Sequence, residues 1–512
     1  MYESNLLLWL FLIPAAAALL EAMSGRYRAK QAGIISIIGA ILTLLVALSM
    51  CREVLAGNTL TAWNDQLYAD ALSSLMALIV TIVGLAVLVF SYRYMRHDVE
   101  AGKTTTERLP LYFALISIFI STMAWGTVTN NLVMLYVIIE ATTLASALLV
   151  TFYWKPESLE AGYKYLILCS VGITLALLGT VLLYAAAVPF LPGDKALLIT
   201  ELVKISGHIP SNIVFIACGL ILIGFGTKAG IIPFHAWLPD AHSQSPSPVS
   251  ALLSGVTIKV AIYAVARILT IFYPQYSALA TFLVLVGAVT MLLGIILAFI
   301  QDDLKRMLAY SSVSQMGYIV MGFGIGGYVG FYGSVYHMLN HALLKSLLFL
   351  CTGALLYTSG TTLISELQGK KQGTLTAICF FVAALAVGGL PPLNGFWSKF
   401  TIFVAAAQAQ NWWAVGIAVF TSLLTLACLV RAGYRIFLYQ DDHHGGEAAI
   451  ALEEPGNAGH EGHIGIPSLP LSMSMVMVIL VALSVLLGAY PSIIYPLLDL
   501  ASKSLLHLAI GG

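Results

Sequence analysis

Residues 224–233 read Gly224-Phe225-Gly226-Thr227-Lys228-Ala229-Gly230-Ile231-Ile232-Pro233, inside an otherwise apolar run over 211–240. A second stretch breaks the run 375–409 in the same manner: Gly388-Gly389-Leu390-Pro391-Pro392-Leu393-Asn394-Gly395-Phe396-Trp397-Ser398-Lys399. Proline removes a backbone donor and clashes with the preceding turn, while glycine tolerates an unwound backbone. At membrane depth, such a break requires protein or a wet cavity to satisfy the freed backbone groups. Interrupted helices at matching places in two halves point to inverted repeats around a midplane ion site. The plainer reading is a pair of packing kinks, and a lysine beside each break argues against it.

Composition outside the breaks agrees with a membrane setting. Of 512 residues, 59% are hydrophobic and 9% charged, against about 25% charged in soluble domains. The apolar runs are long and apolar on all faces, which excludes an alternating membrane barrel. Counting runs near the ~20 residues that span a bilayer predicts an all-α polytopic membrane protein of about fourteen helices. They fall at 5–24, 31–51, 70–92, 110–128, 130–152, 163–190, 211–240, 246–272, 276–300, 303–325, 329–357, 375–409, 412–438 and 469–500. The predicted divisions are an N-terminal unit of three helices (1–109), a first inverted repeat of helices 4–8 (110–272) and a second of helices 9–13 (273–440). A polar His-rich inside loop (441–468) and a C-terminal unit with helix 14 (469–512) complete the chain. Helices 7 and 12 are the broken pair. The first run has no basic leader segment and reads as a spanning helix, not a removable signal.

Charge sets the predicted orientation. Fifteen lysines and arginines fall in loops on one side, and only Arg52, Lys195, Lys204 and Lys503 on the other. The positive-inside rule then places both termini outside the cell inner (plasma) membrane. Lys+Arg and Asp+Glu each total 24, a balance that gives no case for nucleic acid. The six cysteines are scattered without metal-ligand spacing, so no cofactor or metal is expected on this chain. The histidines of 440–465 are interleaved with Gly, Ala and Pro and read as a solvated loop, a metal tract being the alternative.

Five basic residues remain inside predicted helices: Lys228, Lys259, Arg267, Lys345 and Lys399. A charge near the bilayer centre costs at least a few kcal/mol, so each needs a partner, a cavity or a function. Glu140 is the acid expected near mid-membrane, and Lys228 its natural partner, either as a proton-transfer pair or as a static tie between helices. Lys259 lies midway along predicted helix 8. Arg267, nearer the helix end, fits snorkelling or a structural pair, since arginine hardly deprotonates. His337, His341 and Lys345 follow at four-residue spacing and share one helix face. Histidine titrates near neutrality and suits a proton relay; a metal site is the weaker alternative, and Lys345 is open to a structural role. Glu140, Lys228, Lys259, His337, His341 and Lys399 thus form a row of titratable groups across the bundle.

The run Gly226-Thr227-Lys228-Ala229-Gly230-Ile231-Ile232-Pro233-Phe234-His235-Ala236-Trp237-Leu238-Pro239-Asp240-Ala241-His242 resembles the signature of the proton-conducting antiporter family. Pro246–Gly255 and Asp303–Ser312 resemble further motifs of the family, in order. Members include antiporter-like subunits of respiratory complex I, large subunits of Mrp cation/proton antiporters, and membrane subunits of energy-converting [NiFe] hydrogenases such as formate hydrogenlyase. The resemblance implies proton transfer coupled to chemistry elsewhere in a complex, with Glu140 and Lys228 as coupling pair, Lys259 central, His337 and His341 on the route, and Lys399 terminal. It implies other membrane subunits as partners, homologous antiporter-like subunits among them, together with peripheral redox subunits and the lipid bilayer. His235 and His242 are expected to pack loops. The expected function is proton translocation in a redox-driven pump, complex I-like or hydrogenase-like; the alternative is the large subunit of an Mrp-type Na⁺/H⁺ antiporter.

Overall fold

A computed structural model describes residues 2–25, 28–273, 276–439 and 469–510. The polar tract expected over 440–465 lies outside the described residues. The described residues are almost wholly helical, and among them twelve helices are long and apolar enough to cross a membrane. They are α1 (Leu6–Met23), α2 (Ala29–Leu55), α3 (Ala71–Glu100), α4 (Leu109–Val128), α5 (Leu132–Val150) and α6 (Pro156–Ala187). After a short amphipathic α7 (Ile199–Ile205) come α8 (Ser211–Ala229), the brief α9 (Trp237–Gln244), α10 (Ser247–Phe272) and α11 (Ser277–Phe299). The more polar α12 (Leu304–Ile325) and the long α13 (Gly327–Ser359) follow. Then come the half-length α14 (Thr374–Gly388) and α15 (Asn394–Gln408), α16 (Trp412–Leu438), α17 (Leu471–Ala489) and a terminal α18 (Tyr495–Ile510).

Predicted helix positions agree with these elements, and the differences have local causes. Predicted helices 3 and 6 fall short because the ends of α3 and α6 carry charge: Arg93, Arg96 and Asp98 in one, Glu157, Glu160 and Lys164 in the other. Predicted helix 14 is shorter and ends at Ala489, and the chain turns at Pro491 into the separate α18. A small sheet has no counterpart among the predicted elements. Its strands β1 (Tyr2–Glu3) and β2 (Leu60–Ala62) pair in parallel, and β2 pairs antiparallel with β3 (Leu67–Ala69), tying the N-terminus to the α2–α3 loop. Strands this short carry no legible alternation.

Burial is graded from the outside inward. On α2, Ile38, Leu45 and Leu48 are exposed, as a lipid-facing surface requires, whereas the apolar window of α10 is buried throughout. In lipid, helices associate through close packing rather than through a hydrophobic drive, and small residues permit close approach. Gly287 and Gly294 of α11 and Gly317 and Gly324 of α12 serve this contact, each having the other helix's backbone within 2.7 Å of where a Cβ would stand. Fully buried polar side chains are frequent on α10, α12, α13 and α15 and occur on α3 and α5 as well.

Candidate proton pathway

Both breaks stand where the sequence places them. Helix α8 ends one residue after Lys228, with Gly230 in the left-handed region at φ 75°. The freed carbonyl of Thr227 accepts from the Trp237 indole at 2.8 Å, and the Ile232 N–H donates to Thr290 Oγ1 at 3.3 Å. Helix α14 ends at Gly389, φ 86°, and α15 restarts at Asn394. Here the Gly388 carbonyl accepts from Ser422 at 2.8 Å and the Asn394 carbonyl from Asn340 at 2.8 Å. Asn394 returns a bond to Asn340 Oδ1 at 3.0 Å, stitching the gap to α13. Gly395 is required sterically, since a Cβ there would meet the Ala386 carbonyl at 1.8 Å. Protein groups therefore satisfy the interrupted backbone, as its depth demands.

Lys228 is buried, and its ammonium donates to Thr143 Oγ1 at 3.0 Å and to the Tyr165 hydroxyl, lying 4.6 Å from the centre of the Tyr165 ring. The Tyr165 hydroxyl in turn meets Ser146 at 2.5 Å. The expected direct pair with Glu140 is absent among the described residues. Glu140 is half-buried, accepts from Ser170 of α6 at 2.6 Å, and its second oxygen is buried without a partner. It stands one turn before Thr143, so acid and lysine share a neighbourhood through α5 without touching. Two residues on the same face of α5 as Glu140, Val137 and Leu144, are exposed.

Lys259 follows a π-helical turn over Leu253–Thr257 and donates to the Ser254 carbonyl. A π-bulge leaves a carbonyl outside the regular ladder, and such bulges recur at functional sites. Ser254 also meets Ser312 of α12 at 2.8 Å. His337 contacts Ser398 at 2.9 Å and Gln315 at 3.2 Å, and its ring centre lies 6.0 Å from that of His341. Both His341 nitrogens are buried with no partner. Lys399 donates to Ser422 at 3.2 Å and sits 4.7 Å from the Tyr318 ring centre.

Of the six predicted residues, Lys228, Lys259, His337, His341 and Lys399 are buried and Glu140 is half-buried, and the structure groups them locally: Glu140 and Lys228 with α5–α6 hydroxyls, Lys259 with α12, and His337 with Lys399 through adjacent Ser398. Among the described residues, no direct hydrogen bond joins these groups to one another. Lys345 is fully buried and donates to Ser311 at 2.9 Å and the Leu308 carbonyl at 3.1 Å, a ligand set like that of its row neighbours. Arg267 forms a two-pronged pair with Asp70, Nη1 to Oδ2 at 2.7 Å, which agrees with the structural pair expected for it. His242 is buried against the Phe349 ring at 4.6 Å, both nitrogens without partners.

Sequence reasoning missed the neutral partners, Thr143, Tyr165, Ser170, Tyr318 and Ser422, because a hydroxyl in an apolar run carries no spacing signal of its own. It also missed buried acids. Glu21 of α1 accepts from Ser36 at 2.7 Å and Ser117 at 3.0 Å, while Asp70 and Asp98 are buried at the ends of α3. Glu140 is therefore one of several acids withdrawn from water.

Comparison with known proteins agrees with this architecture. The family described as NADH:quinone oxidoreductase/Mrp antiporter, TM, matches residues 129–425. A second, described as NADH-Ubiquinone oxidoreductase (complex I), chain 5 N-terminus, matches residues 63–103. Hydrogenase-4 component F homolog of Methylacidiphilum infernorum is 36% identical over 354 residues, 68% of this chain and 74% of that protein. A Na(+)/H(+) antiporter subunit of Alkalihalophilus pseudofirmus is 27% identical over 496 residues, 95% of this chain and 94% of that one. A chain in the structure of the membrane-bound sulfane sulfur reductase, an archaeal respiratory membrane complex, superposes with a TM-score of 0.86 at 24% identity, covering 99% of both chains. The chain belongs to the NADH:quinone oxidoreductase/Mrp antiporter family of membrane subunits.

Proposed function

We propose that the chain translocates protons through Glu140, Lys228, Lys259, His337, His341 and Lys399 as one membrane subunit of a redox-driven complex, complex I-like or hydrogenase-like. One observation carries the reading. Lys228, Lys259 and Lys399 are buried, and their hydrogen-bond partners are hydroxyls and a carbonyl, with no carboxylate paired to any of them among the described residues. A buried lysine paired with a carboxylate is held protonated; one held by neutral dipoles can lose its proton without stranding an opposite charge. Arg267, which hardly deprotonates, is the one given an acid.

In this reading α12 and the α14–α15 pair also cross the bilayer, giving fourteen crossings, two five-helix repeats and both termini outside the inner membrane. Redox centres belong to peripheral partner subunits, and homologous membrane subunits flank this one. The alternative is an Mrp-type antiporter complex, favoured by the near full-length match to a Na(+)/H(+) antiporter subunit. Purifying the native assembly decides between them: co-migrating redox subunits support the first, a set of small membrane subunits the second. Coupled proton uptake by vesicles carrying Lys228→Ala then tests the pathway. Loss of uptake with intact assembly is expected, and wild-type uptake would remove the proposed role.

A further inference from the structure

Helices α2, α3 and α17 leave an open groove of about 430 Å³ between them. It runs from Ile37 to Leu48 on α2, from Leu78 to Val89 on α3 and from Met475 to Leu483 on α17. Every lining side chain is aliphatic or methionine, and walls of that kind stay dry. The α2 wall rises about 16 Å, close to the ~15 Å that one leaflet contributes to the hydrocarbon core. A partner helix fits these walls poorly. Helices associate in lipid through small residues, and Ala86 is the one small residue lining the groove.

Charge marks one end. A Cβ on Gly33 would meet the Tyr92 ring at 2.7 Å, so α2 and α3 touch just beyond Ile37 and Val89. One turn past that contact stand Lys30 and Arg96, each two turns from Ile37 or Val89 and on the groove-lining face of its helix. Arg93, one turn after Val89, shares the α3 face. Lys30 and Arg93 are exposed, and Arg96 is half-buried with its guanidinium 4.9 Å from the centre of the Tyr92 ring. No carboxylate pairs with any of the three among the described residues.

Helix α17 starts at this same end. Along α13, Gly353 packs on Phe90 of α3, and Tyr336, far up the helix, donates to the Leu487 carbonyl near the finish of α17. The start of α17 has no side-chain cap, and an uncapped helix start favours an anion. Ser472 in its first turn shares a face with the lining residues Val476, Ile479 and Leu483. Its hydroxyl is buried with no partner among the described residues.

We propose that this groove binds an anionic phospholipid. One acyl chain lies along the α2–α3–α17 walls, and the phosphate is held by Lys30, Arg93, Arg96 and the start of α17. Guanidinium donors match phosphate oxygens, and the Ser472 hydroxyl supplies a further donor. The excess of lysine and arginine in loops on this side explains the sign of the charge. It does not explain why three cations fall on the two faces that frame the groove, beside an unpartnered hydroxyl. The site is independent of the proton pathway.

The test uses the assembled complex, stripped of lipid in detergent and incubated with phosphatidylglycerol carrying a photoreactive group near one acyl terminus. Crosslinks mapped by mass spectrometry are expected at the far end of the groove, around Leu48 and Leu78. An excess of unlabelled phosphatidylglycerol should remove them, while phosphatidylcholine or inorganic phosphate should not. Arg93→Gln and Lys30→Gln, both at exposed positions, should each weaken competition by phosphatidylglycerol about fivefold. Equal competition by phosphatidylcholine would leave a groove that takes any lipid and overturns the anionic site. Competition by inorganic phosphate would make it an ion site. A groove without crosslinks would mean that a partner subunit covers it, and either result also overturns the proposal.

Discussion

The two breaks use one backbone device and set their lysines in opposite places. In the first, Lys228 stands on the leg before the gap, at the end of α8; in the second, Lys399 stands on the leg after it, in α15. Each ammonium lies over a tyrosine ring, at 4.6 Å and 4.7 Å. The hydroxyls differ. Tyr165 turns its oxygen to Lys228, whereas Tyr318 spends its oxygen on the Ala418 carbonyl and Thr421, both at 2.6 Å, and offers Lys399 only its face. An acid, Glu140, lies near the first lysine, and among the described residues no carboxylate pairs with the second. The same fold element thus serves a hydroxyl-rich site beside an acid in one half and a sparer, histidine-linked site in the other.

If both lysines carry protons, Lys228→Ala and Lys399→Ala each lower coupled pumping by at least about a hundredfold, with assembly unchanged on a native gel. Wild-type pumping in Lys399→Ala alone would reduce the second break to a packing kink and confine transport to the first half. Glu140→Gln probes the acid that only one half has. Because Glu140 bonds Ser170 rather than Lys228, its charge acts at a distance, and a loss of roughly fivefold to tenfold is expected. Complete loss would mean that acid and lysine meet directly in some step of the cycle.

The tyrosines sharpen the contrast. Tyr165→Phe removes a hydrogen bond to a charged group, worth about 1.5–3 kcal/mol, and should slow pumping. Tyr318→Phe removes bonds to a carbonyl and a threonine, costing about 1 kcal/mol of stability while leaving pumping near wild type. Proton uptake and thermal unfolding of the solubilised complex read the two effects separately. Equal losses of pumping in both variants would mean that the Tyr318 hydroxyl matters to transport as much as that of Tyr165, and no loss in either would leave the rings as the groups that matter.

How much of this was legible follows from the kind of signal. Helix positions and both breaks were readable because apolar runs, glycines and prolines report backbone conditions directly. Lys228, Lys259, His337, His341 and Lys399 were readable because a titratable side chain in an apolar run is costly. Tyr165, Thr143 and Ser422 were not, since hydroxyls cost little and only packing decides which lysine they face. The Glu140–Lys228 contact was expected from charge and from the family resemblance, and α5–α6 geometry gives the carboxylate to Ser170 instead. Asp70 was not singled out, because a capping acid at a helix start carries no sign of burial in the sequence; it accepts from the Ser73 N–H at 2.9 Å as a cap does, yet it is also the buried partner of Arg267.

The smallest contrast lies in the tryptophans that brace the gaps. The Trp237 indole donates to the Thr227 carbonyl at 2.8 Å, and the Trp397 indole to the Gly488 carbonyl at 2.9 Å. Trp237 is fully buried and Trp397 is 38% exposed. Removing the first donor leaves the Thr227 carbonyl, in the dry interior beside Lys228, with only its bond from the Gly230 N–H at 3.1 Å, at a cost of about 1–1.5 kcal/mol. Removing the second leaves a carbonyl nearer the surface, where other donors can reach it, so Trp397→Phe should cost less than about 1 kcal/mol. Melting curves of the two phenylalanine variants should therefore separate, with Trp237→Phe the less stable. Coincident curves would mean that the gap at α8 is as open to water as the gap at α14, and that the two breaks differ in their lysines but not in their solvation.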